Sequence, residues 1–146
     1  MSYKVYLSGE IHSNWREEIK QGAEALNLDI QILSPVTDHE ASDAAGDLLR
    51  DNEQSHWRDH QSSKVNAIRT QGQINQADLV VVRFGDKYKQ WNAAFDAGYC
   101  AALGKPYITL HAADIIHPLK EVDAAAMAWA ETTEQVVGIL QYVLKP

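Results

Sequence analysis

The feature that most constrains the fold of this chain is the apolar run at residues 79–84, in which Arg83 is the only charged side chain. A near-continuous run of this kind is typical of a central parallel strand that helices cover on both faces. Shorter β-prone runs and amphipathic helical patterns alternate along the rest of the chain. We predict strands at about 5–7, 30–33, 79–84, 107–110 and 126–129, and helices at about 14–26, 64–76, 91–103 and 133–144. The alternation predicts an α/β fold, a single doubly wound (Rossmann- or flavodoxin-like) domain with a mainly parallel sheet of about five strands.

A polar segment at about residues 37–61, rich in Asp, His, Glu and Ser, interrupts this alternation. A long connection inside a small domain is usually an active-site loop or a mobile segment. We therefore interpret residues 1–146 as one domain that carries a polar insert, without a repeat or an interdomain linker.

The charge balance and the cysteine count exclude several classes of protein. The chain has 20 acidic residues against 13 Lys and Arg, a net charge of -7, so it lacks the basic face that nucleic acid or an anionic membrane requires. Cys100 is the only cysteine, which excludes a disulfide framework and a cysteine-rich zinc site. No leader-like or membrane-spanning apolar segment is present, and we expect a cytoplasmic protein whose partner is a small molecule.

In a doubly wound sheet, ligands bind beyond the carboxyl ends of the strands, near the point where the strand order reverses. Residues 8–14, the loop after Pro35 and residues 85–96 are therefore expected to converge there. The sequence has neither a dinucleotide-binding glycine motif nor a P-loop. The candidate substrate-binding residues are Ser8, Gly9, Glu10, His12, Ser13, Asn14, Trp91 and Asn92. Trp91 could stack on a base or cap a pocket, and burial or an oligomer contact explains it equally well.

Other polar clusters have weaker claims to chemistry. His56 and His60 have a metal-ligand spacing but lack the Glu of H-E-x-x-H, so a solvated loop is the better interpretation. Residues 38–40 form a similarly weak cluster, and Cys100 in the middle of a helix is interpreted as inert packing. We therefore predict no metal and no organic cofactor.

The helix predicted at 91–103 carries the residues of most chemical interest. Phe95, Gly98, Tyr99 and Ala102 are spaced as an apolar stripe that we expect to pack on the sheet. Asp96 lies beside this stripe in the early part of the helix, where the helix dipole favours a carboxylate. From spacing alone, Asp96 is best interpreted as a solvated partner of that dipole.

Three segments resemble the nucleoside 2-deoxyribosyltransferases and related nucleotide N-hydrolases. Residues 92–106 (NAAFDAGYCAALGKP) are similar to the family signature G-T-A-F-E-x-G-Y-A-x-A-L-G-K-P. Residues 4–9 (KVYLSG) resemble the opening K-I-Y-L-A-G, and residues 77–82 (ADLVVV) resemble the strand A-D-x-V-V-A. The order and separations fit over most of the chain, and the resemblance is closest to the YtoQ-type branch.

The resemblance implies chemistry at Asp96. In this family a Glu attacks C1′ of the sugar, expels the base and forms a covalent glycosyl-enzyme, which a second base or water then resolves. Asp96 matches that nucleophile, and Tyr6 matches the tyrosine that orients it. The resemblance also implies a homo-oligomer. The proposed chemistry requires no metal or organic cofactor, and we expect the sugar or phosphate end of the site to be formed by Gly9, His12, Ser13 and Asn14.

This chain departs from the family pattern at several positions. Asp96 is one methylene shorter than Glu, and the preceding Gly and Thr are replaced by Asn92 and Ala93. Two acids that contact the base are replaced by Thr70 and Gln90, so the leaving base lacks its usual proton donor. Asp86 is the nearest replacement acid, although a solvated turn residue explains it equally well.

Two functions therefore compete. The first is cleavage or transfer of an N-glycosidic bond in a nucleoside- or nucleotide-like substrate, with Asp96 as nucleophile, Tyr6 as its orienting partner and Asp86 as acid/base. The second is a non-catalytic module that binds a nucleotide or sugar phosphate. A structural subunit that interacts through residues 37–61 is a more distant third.

Overall fold

The computed structural model describes residues 2–48, 55–86 and 90–146, without the side chains of residues 39, 48 and 55–57. Its strands are β1 (Tyr3–Gly9), β2 (Ile30–Leu33), β3 (Leu79–Arg83), β4 (Tyr107–Leu110) and β5 (Ala128–Ala130). Its α-helices are α1 (Trp15–Ala25), α2 (His39–Asp43), α3 (Ser55–Gln76), α4 (Trp91–Leu103), α5 (Lys120–Ala125) and α6 (Thr133–Val143).

All five strands are parallel and lie in the order β2-β1-β3-β4-β5. The α/β fold with a doubly wound parallel sheet is therefore confirmed. This is the flavodoxin-like strand order, in which the chain reverses its direction of winding between β1 and β3. Ligand sites of such sheets lie at this switch point, so the carboxyl ends of β1 and β3 locate the region of interest.

The chain divides into two compact units. The first comprises Met1–Leu33 and Ala77–Pro146 and contains the whole sheet with α1, α4, α5 and α6. The second comprises Ser34–Gln76 and contains α2, the 3₁₀ turn Ala45–Leu48 and α3. Helix α3 extends further toward the N-terminus than the predicted 64–76, and residues 49–54 of the polar insert lie outside the described residues.

The two faces of the sheet differ in composition. On one face Val5, Leu7 and Val81 join Trp15 of α1 and Leu140 of α6 in a buried apolar core. Alternation along the strands directs the intervening residues to the opposite face, where α4 packs against β1 and β3. No helix in the described part of the chain combines the length and apolar character that a membrane span needs.

The predicted packing of α4 was wrong. Its buried side chains are Ala93, Ala97 and Cys100. Phe95 is 64% exposed, and Gly98 and Ala102 are also exposed. The helix is apolar on both sides, so periodicity alone does not select the buried one. The side that faces the sheet carries only small residues and no aromatic ring, which allows a closer approach of the helix backbone.

Candidate active site

A serine and an aspartate meet at the switch point. Strand β1 places Tyr6 and Ser8 on the face that α4 covers, and both side chains are fully buried. The Ser8 hydroxyl donates a hydrogen bond of 2.6 Å to Oδ2 of Asp96, which projects from α4. Residues 88 positions apart in the sequence are thereby joined at the carboxyl end of β1.

The environment of Asp96 shifts its ionisation in two opposing directions. Burial raises the pKa of the carboxyl group, and the hydrogen bond from Ser8 acts in the opposite sense because it stabilises the charged form. Burial is the larger effect, so the pKa lies above its ordinary value. Asp96 lies in the second turn of α4, and the helix dipole acts mainly within the first. The solvated dipole partner expected from spacing alone is therefore not what the structure has.

The loop between β1 and α1 is held by buried hydrogen bonds. Arg16 donates from Nε to Leu7 O at 3.0 Å and from its two Nη atoms to Glu10 O and Gly9 O at 2.6 and 3.1 Å. Trp15 Nε1 donates to the same Glu10 carbonyl at 2.7 Å. Burial lowers the pKa of Arg16 to about 10, which leaves the guanidinium charged at neutral pH. These contacts fix the backbone at the carboxyl end of β1.

The Glu10 side chain forms hydrogen bonds within this loop. It is 5% exposed, and its carboxylate accepts hydrogen bonds from the backbone N–H of His12 and, at 2.6 Å, from the hydroxyl of Ser13. Arg83 Nε lies 3.8 Å from the same carboxylate. The Glu10 side chain therefore stabilises the loop that the sequence assigned to substrate binding.

Two glycines permit the close packing at this edge. Gly9 has a φ of +109°, and a Cβ at this position would lie 2.2 Å from the Arg83 carbonyl oxygen. A Cβ on Gly85 would lie 2.6 Å from Cγ of Glu10. The ends of β1 and β3 approach each other at a distance that only glycine allows at these positions.

The remaining predicted site residues lie at the surface around this edge. His12, Ser13 and Asn14 are exposed, and Asn14 precedes α1 without a side-chain capping hydrogen bond. Asp86 follows β3 and is exposed, as are Trp91 (72% exposed) and Asn92 at the start of α4. The roles of Asp86 as acid and of Tyr6 as orienting residue stay predictions.

Sequence reasoning missed a buried polar cluster after β4. His111 is fully buried, with Nε2 2.8 Å from Oδ2 of Asp123 and Nδ1 2.7 Å from the Ala112 carbonyl oxygen. Thr109 donates to the other oxygen of Asp123 at 2.7 Å, and the Trp129 ring stacks on His111 at 5.0 Å. This cluster connects α5 to β4 and β5, the last two strands of the sheet. The sequence signal that could have predicted this cluster is His111, a polar residue that directly follows the apolar strand β4.

The predictions about metals and thiols have different outcomes. Among the described residues, no group of three or more His, Cys, Asp or Glu side chains is placed to hold a metal ion. The His56 side chain lies outside the described residues, so the pair with His60 stays untested. Burial raises the pKa of Cys100 to about 12, which agrees with its interpretation as inert packing.

Fold and site together define a flavodoxin-like α/β protein with a partly buried carboxylate at its β1/β3 switch point. The family model described as "Nucleoside 2-deoxyribosyltransferase YtoQ" matches residues 6–144. A Bacillus subtilis (strain 168) protein described as "Uncharacterized protein YtoQ" is 42% identical over 146 residues, which cover 99% of each chain. The chain therefore belongs to the nucleoside 2-deoxyribosyltransferase YtoQ family, as its motifs predicted.

Solved structures share this fold at low sequence identity. A conserved protein from Enterococcus faecalis V583 aligns with a TM-score of 0.66 at 15% identity, over 99% of this chain and 100% of its own. A 2-deoxyribosyltransferase from Bacillus psychrosaccharolyticus aligns with a TM-score of 0.54 at 17% identity, over 94% of this chain and 95% of its own. At these identities the likeness establishes the fold alone.

Proposed function

We propose that this protein cleaves or transfers the N-glycosidic bond of a nucleoside- or nucleotide-like substrate, with Asp96 as the nucleophile. The observation that carries the proposal is the Ser8–Asp96 pair, a carboxylate fixed at 2.6 Å from a buried hydroxyl at the switch point. Membership of the nucleoside 2-deoxyribosyltransferase YtoQ family supports the same chemistry. A carboxylate held in one orientation suits attack on a sugar carbon, because misplacement by about 1 Å costs roughly 100-fold in rate.

The reaction would proceed in two displacements. One Asp96 oxygen forms a bond to C1′ while the C1′–N bond breaks, and the electron pair leaves with the base nitrogen. The departing base takes up a proton, for which Asp86 is the proposed donor. Water or the nitrogen of an acceptor base then attacks C1′ and gives its proton to the Asp86 carboxylate, the C1′–O bond breaks, and the Asp96 carboxylate is regenerated.

The test of this function is release of free base from a panel of ribo- and deoxyribonucleosides and their 5′-monophosphates. The wild-type protein is assayed with and without an added acceptor base, and the products are separated chromatographically. Release in water alone identifies a hydrolase, and a new nucleoside that forms only with the acceptor identifies a transferase. Asp96→Asn is assayed in parallel and should release no base. Asp29→Asn is its matched control, because Asp29 accepts a 2.7 Å hydrogen bond from Ser2 on the surface.

A second candidate is a non-catalytic module that binds a nucleotide or a sugar phosphate. Thr70 and Gln90, which replace the two base-contacting acids expected from the family, favour it because neither donates a proton to a leaving base. Saturable ligand binding without base release from any substrate, unaffected by Asp96→Ala, would support this function and exclude the first.

Removal of the Ser8 hydroxyl tests the pair directly. In Ser8→Ala the Asp96 pKa rises further, because the hydrogen bond that stabilises the charged form is lost. The acidic limb of the kcat/KM profile then moves to higher pH, and kcat/KM at neutral pH falls about tenfold or more. Ser2→Ala serves as the control. An unchanged pH profile in Ser8→Ala would contradict the assignment.

We also propose a homo-oligomer that forms through the outer face of α4, defined as Trp91, Phe95, Gly98, Ala102 and Leu103. The three large side chains are 72%, 64% and 47% exposed, in that order. The two aromatic rings alone expose about 250 Å², a substantial part of the roughly 800 Å² that each partner contributes to a standard interface. The only charged residue of α4, Asp96, is directed toward Ser8, so this face is uncharged in a chain of net charge -7. Two copies of this acidic chain repel each other least when they associate through an uncharged face, so we propose a second copy as the partner.

Sedimentation of Ala102→Glu tests this interface. The wild type should sediment as a dimer or larger across the micromolar range, and Ala102→Glu should be a monomer, because two like charges would face each other across the interface. Met127→Glu is the control, since Met127 is 73% exposed outside α4. A monomeric wild type, or a variant that still associates, would exclude this interface.

A further inference from the structure

Arg83 is the last residue of β3, and its guanidinium forms few contacts with the described part of the protein. Its Nε atom is buried and has no hydrogen-bond partner among the residues that the structure describes. The Glu10 carboxylate lies 3.8 Å from this atom, within the range of an ion pair but too far for a hydrogen bond. A buried donor without a partner requires an explanation, because such groups are rare in folded proteins.

Glu10 does not supply that explanation. Its carboxylate already accepts hydrogen bonds from the His12 N–H and the Ser13 hydroxyl, which hold it in the loop. Arg16, the neighbouring guanidinium, contrasts with Arg83, because all three of its nitrogens donate to backbone carbonyls. Arg16 therefore has a structural role. Among the described residues the Arg83 guanidinium makes only the long ion pair with Glu10, and its planar set of donors matches an oxyanion.

The register of the sheet relates Arg83 to Ser8, the residue that holds the proposed nucleophile Asp96. Gly9 pairs with Arg83 and Ser8 pairs with Val82. Arg83 therefore lies in β3 one residue beyond Val82, which is the partner of Ser8. Alternation directs the two side chains to opposite sides of this edge: Ser8 to the α4 side and Arg83 to the side of Glu10. A ligand that crosses the edge would meet the carboxylate at one end and the guanidinium at the other.

We infer that Arg83 binds the phosphate of a phosphorylated substrate, and so makes a nucleoside monophosphate, rather than a neutral nucleoside, the substrate of this site. A guanidinium binds a phosphate through paired charge-assisted hydrogen bonds. The Arg83 side chain is 21% exposed, so its guanidinium is within reach of an anion from solvent. The inference rests on the proposed function for the position of the sugar. The anion site itself depends only on the contacts of Arg83.

The kinetic test compares nucleosides with their 5′-monophosphates in the wild type, Arg83→Lys and Arg83→Gln. We expect the wild type to prefer the monophosphate in kcat/KM by about 100-fold, the size of effect that a hydrogen-bonded charge pair produces. Arg83→Gln should lose at least tenfold more activity with the monophosphate than with the nucleoside, and Arg83→Lys should lose less. Arg58→Gln is the control, because Arg58 forms an exposed ion pair with Asp47. Equal losses on both substrates, or no wild-type preference, would overturn the inference.

A binding test is independent of turnover. Inorganic phosphate is added to each protein at constant ionic strength, and the thermal midpoint is compared with that in chloride and in acetate. The wild type should gain stability with phosphate more than with acetate, and Arg83→Gln should lose this gain while remaining folded by circular dichroism. An equal response of wild type and Arg83→Gln would overturn the anion site, as would a wild type that does not distinguish phosphate from acetate. Phosphate binding without any base release would instead refute the proposed function alone.

Discussion

Asp96→Asn should lose at least about 10³-fold of the base-release activity and retain the fold. The amide has no negative charge to attack C1′, so the covalent step is lost, and losses of this order follow removal of a nucleophile elsewhere. The amide is nearly isosteric with the carboxylate and still accepts the hydrogen bond from Ser8, so packing around α4 is maintained. Activity is measured by base release, and folding by circular dichroism and the thermal midpoint.

The same substitution should leave stability at neutral pH unchanged or raise it by about 1 kcal/mol. Burial raises the pKa of Asp96 in the folded protein, so the native state binds the proton more tightly than the unfolded chain does. Stability from this group is therefore fully present below the unfolded pKa and is lost as the pH rises through the folded pKa. Above that range the wild type bears the full cost of a buried carboxylate, which Asn removes. A marked destabilisation at neutral pH would mean that Asp96 is structural.

Gly9→Ala should destabilise the protein by about 3 kcal/mol or more. Its φ of +109° is unfavourable for a residue with a side chain, and the added Cβ would lie 2.2 Å from the Arg83 carbonyl oxygen. The Cβ is fixed to the β1 backbone and meets backbone atoms of Arg83, so no side-chain rotation removes the clash. The clash is removed only if β1 and β3 separate at the switch point. Chemical denaturation measures the change, and base release should fall with it because Ser8 is the adjacent residue.

Gly138→Ala provides the matched control for this prediction. Gly138 lies in α6, and a Cβ there has no atom within 4 Å. The substitution should therefore be neutral or stabilise the protein by up to about 1 kcal/mol, since Ala is the better helix former. If Gly9→Ala proved as mild as Gly138→Ala, the close approach of the two strand ends would not be a constraint.

The fold could be predicted from the sequence because its signals are local. The unbroken apolar run of β3 indicated a strand covered on both faces, and the turn residues between runs marked the boundaries. The prediction failed at α4, where the face through Phe95 and the face through Ala97 are both apolar. Choosing between them depends on the space beside β1 and β3, which the sequence of α4 does not encode.

The candidate site could be predicted only in part. Motif similarity selected Asp96, but its pairing with Ser8 depends on how β1 and α4 pack, and no local pattern specifies a contact between such distant residues. The sequence predicted Arg83 only as part of a strand, because a single cation at the end of an apolar run has no spacing that indicates a binding site. Its unused donors became evident only once the neighbouring Glu10 and Arg16 had been placed.

Identification of a covalent glycosyl-enzyme tests the central claim most directly. A 2′-fluoro nucleoside or its 5′-monophosphate slows the second displacement, so the intermediate accumulates and is detected by intact-protein mass spectrometry and peptide mapping. We expect one fluorosugar per chain, located on Asp96 and absent from Asp96→Asn. Base release by the wild type together with an adduct on another residue, or with no adduct at any time point, would contradict nucleophilic catalysis by Asp96.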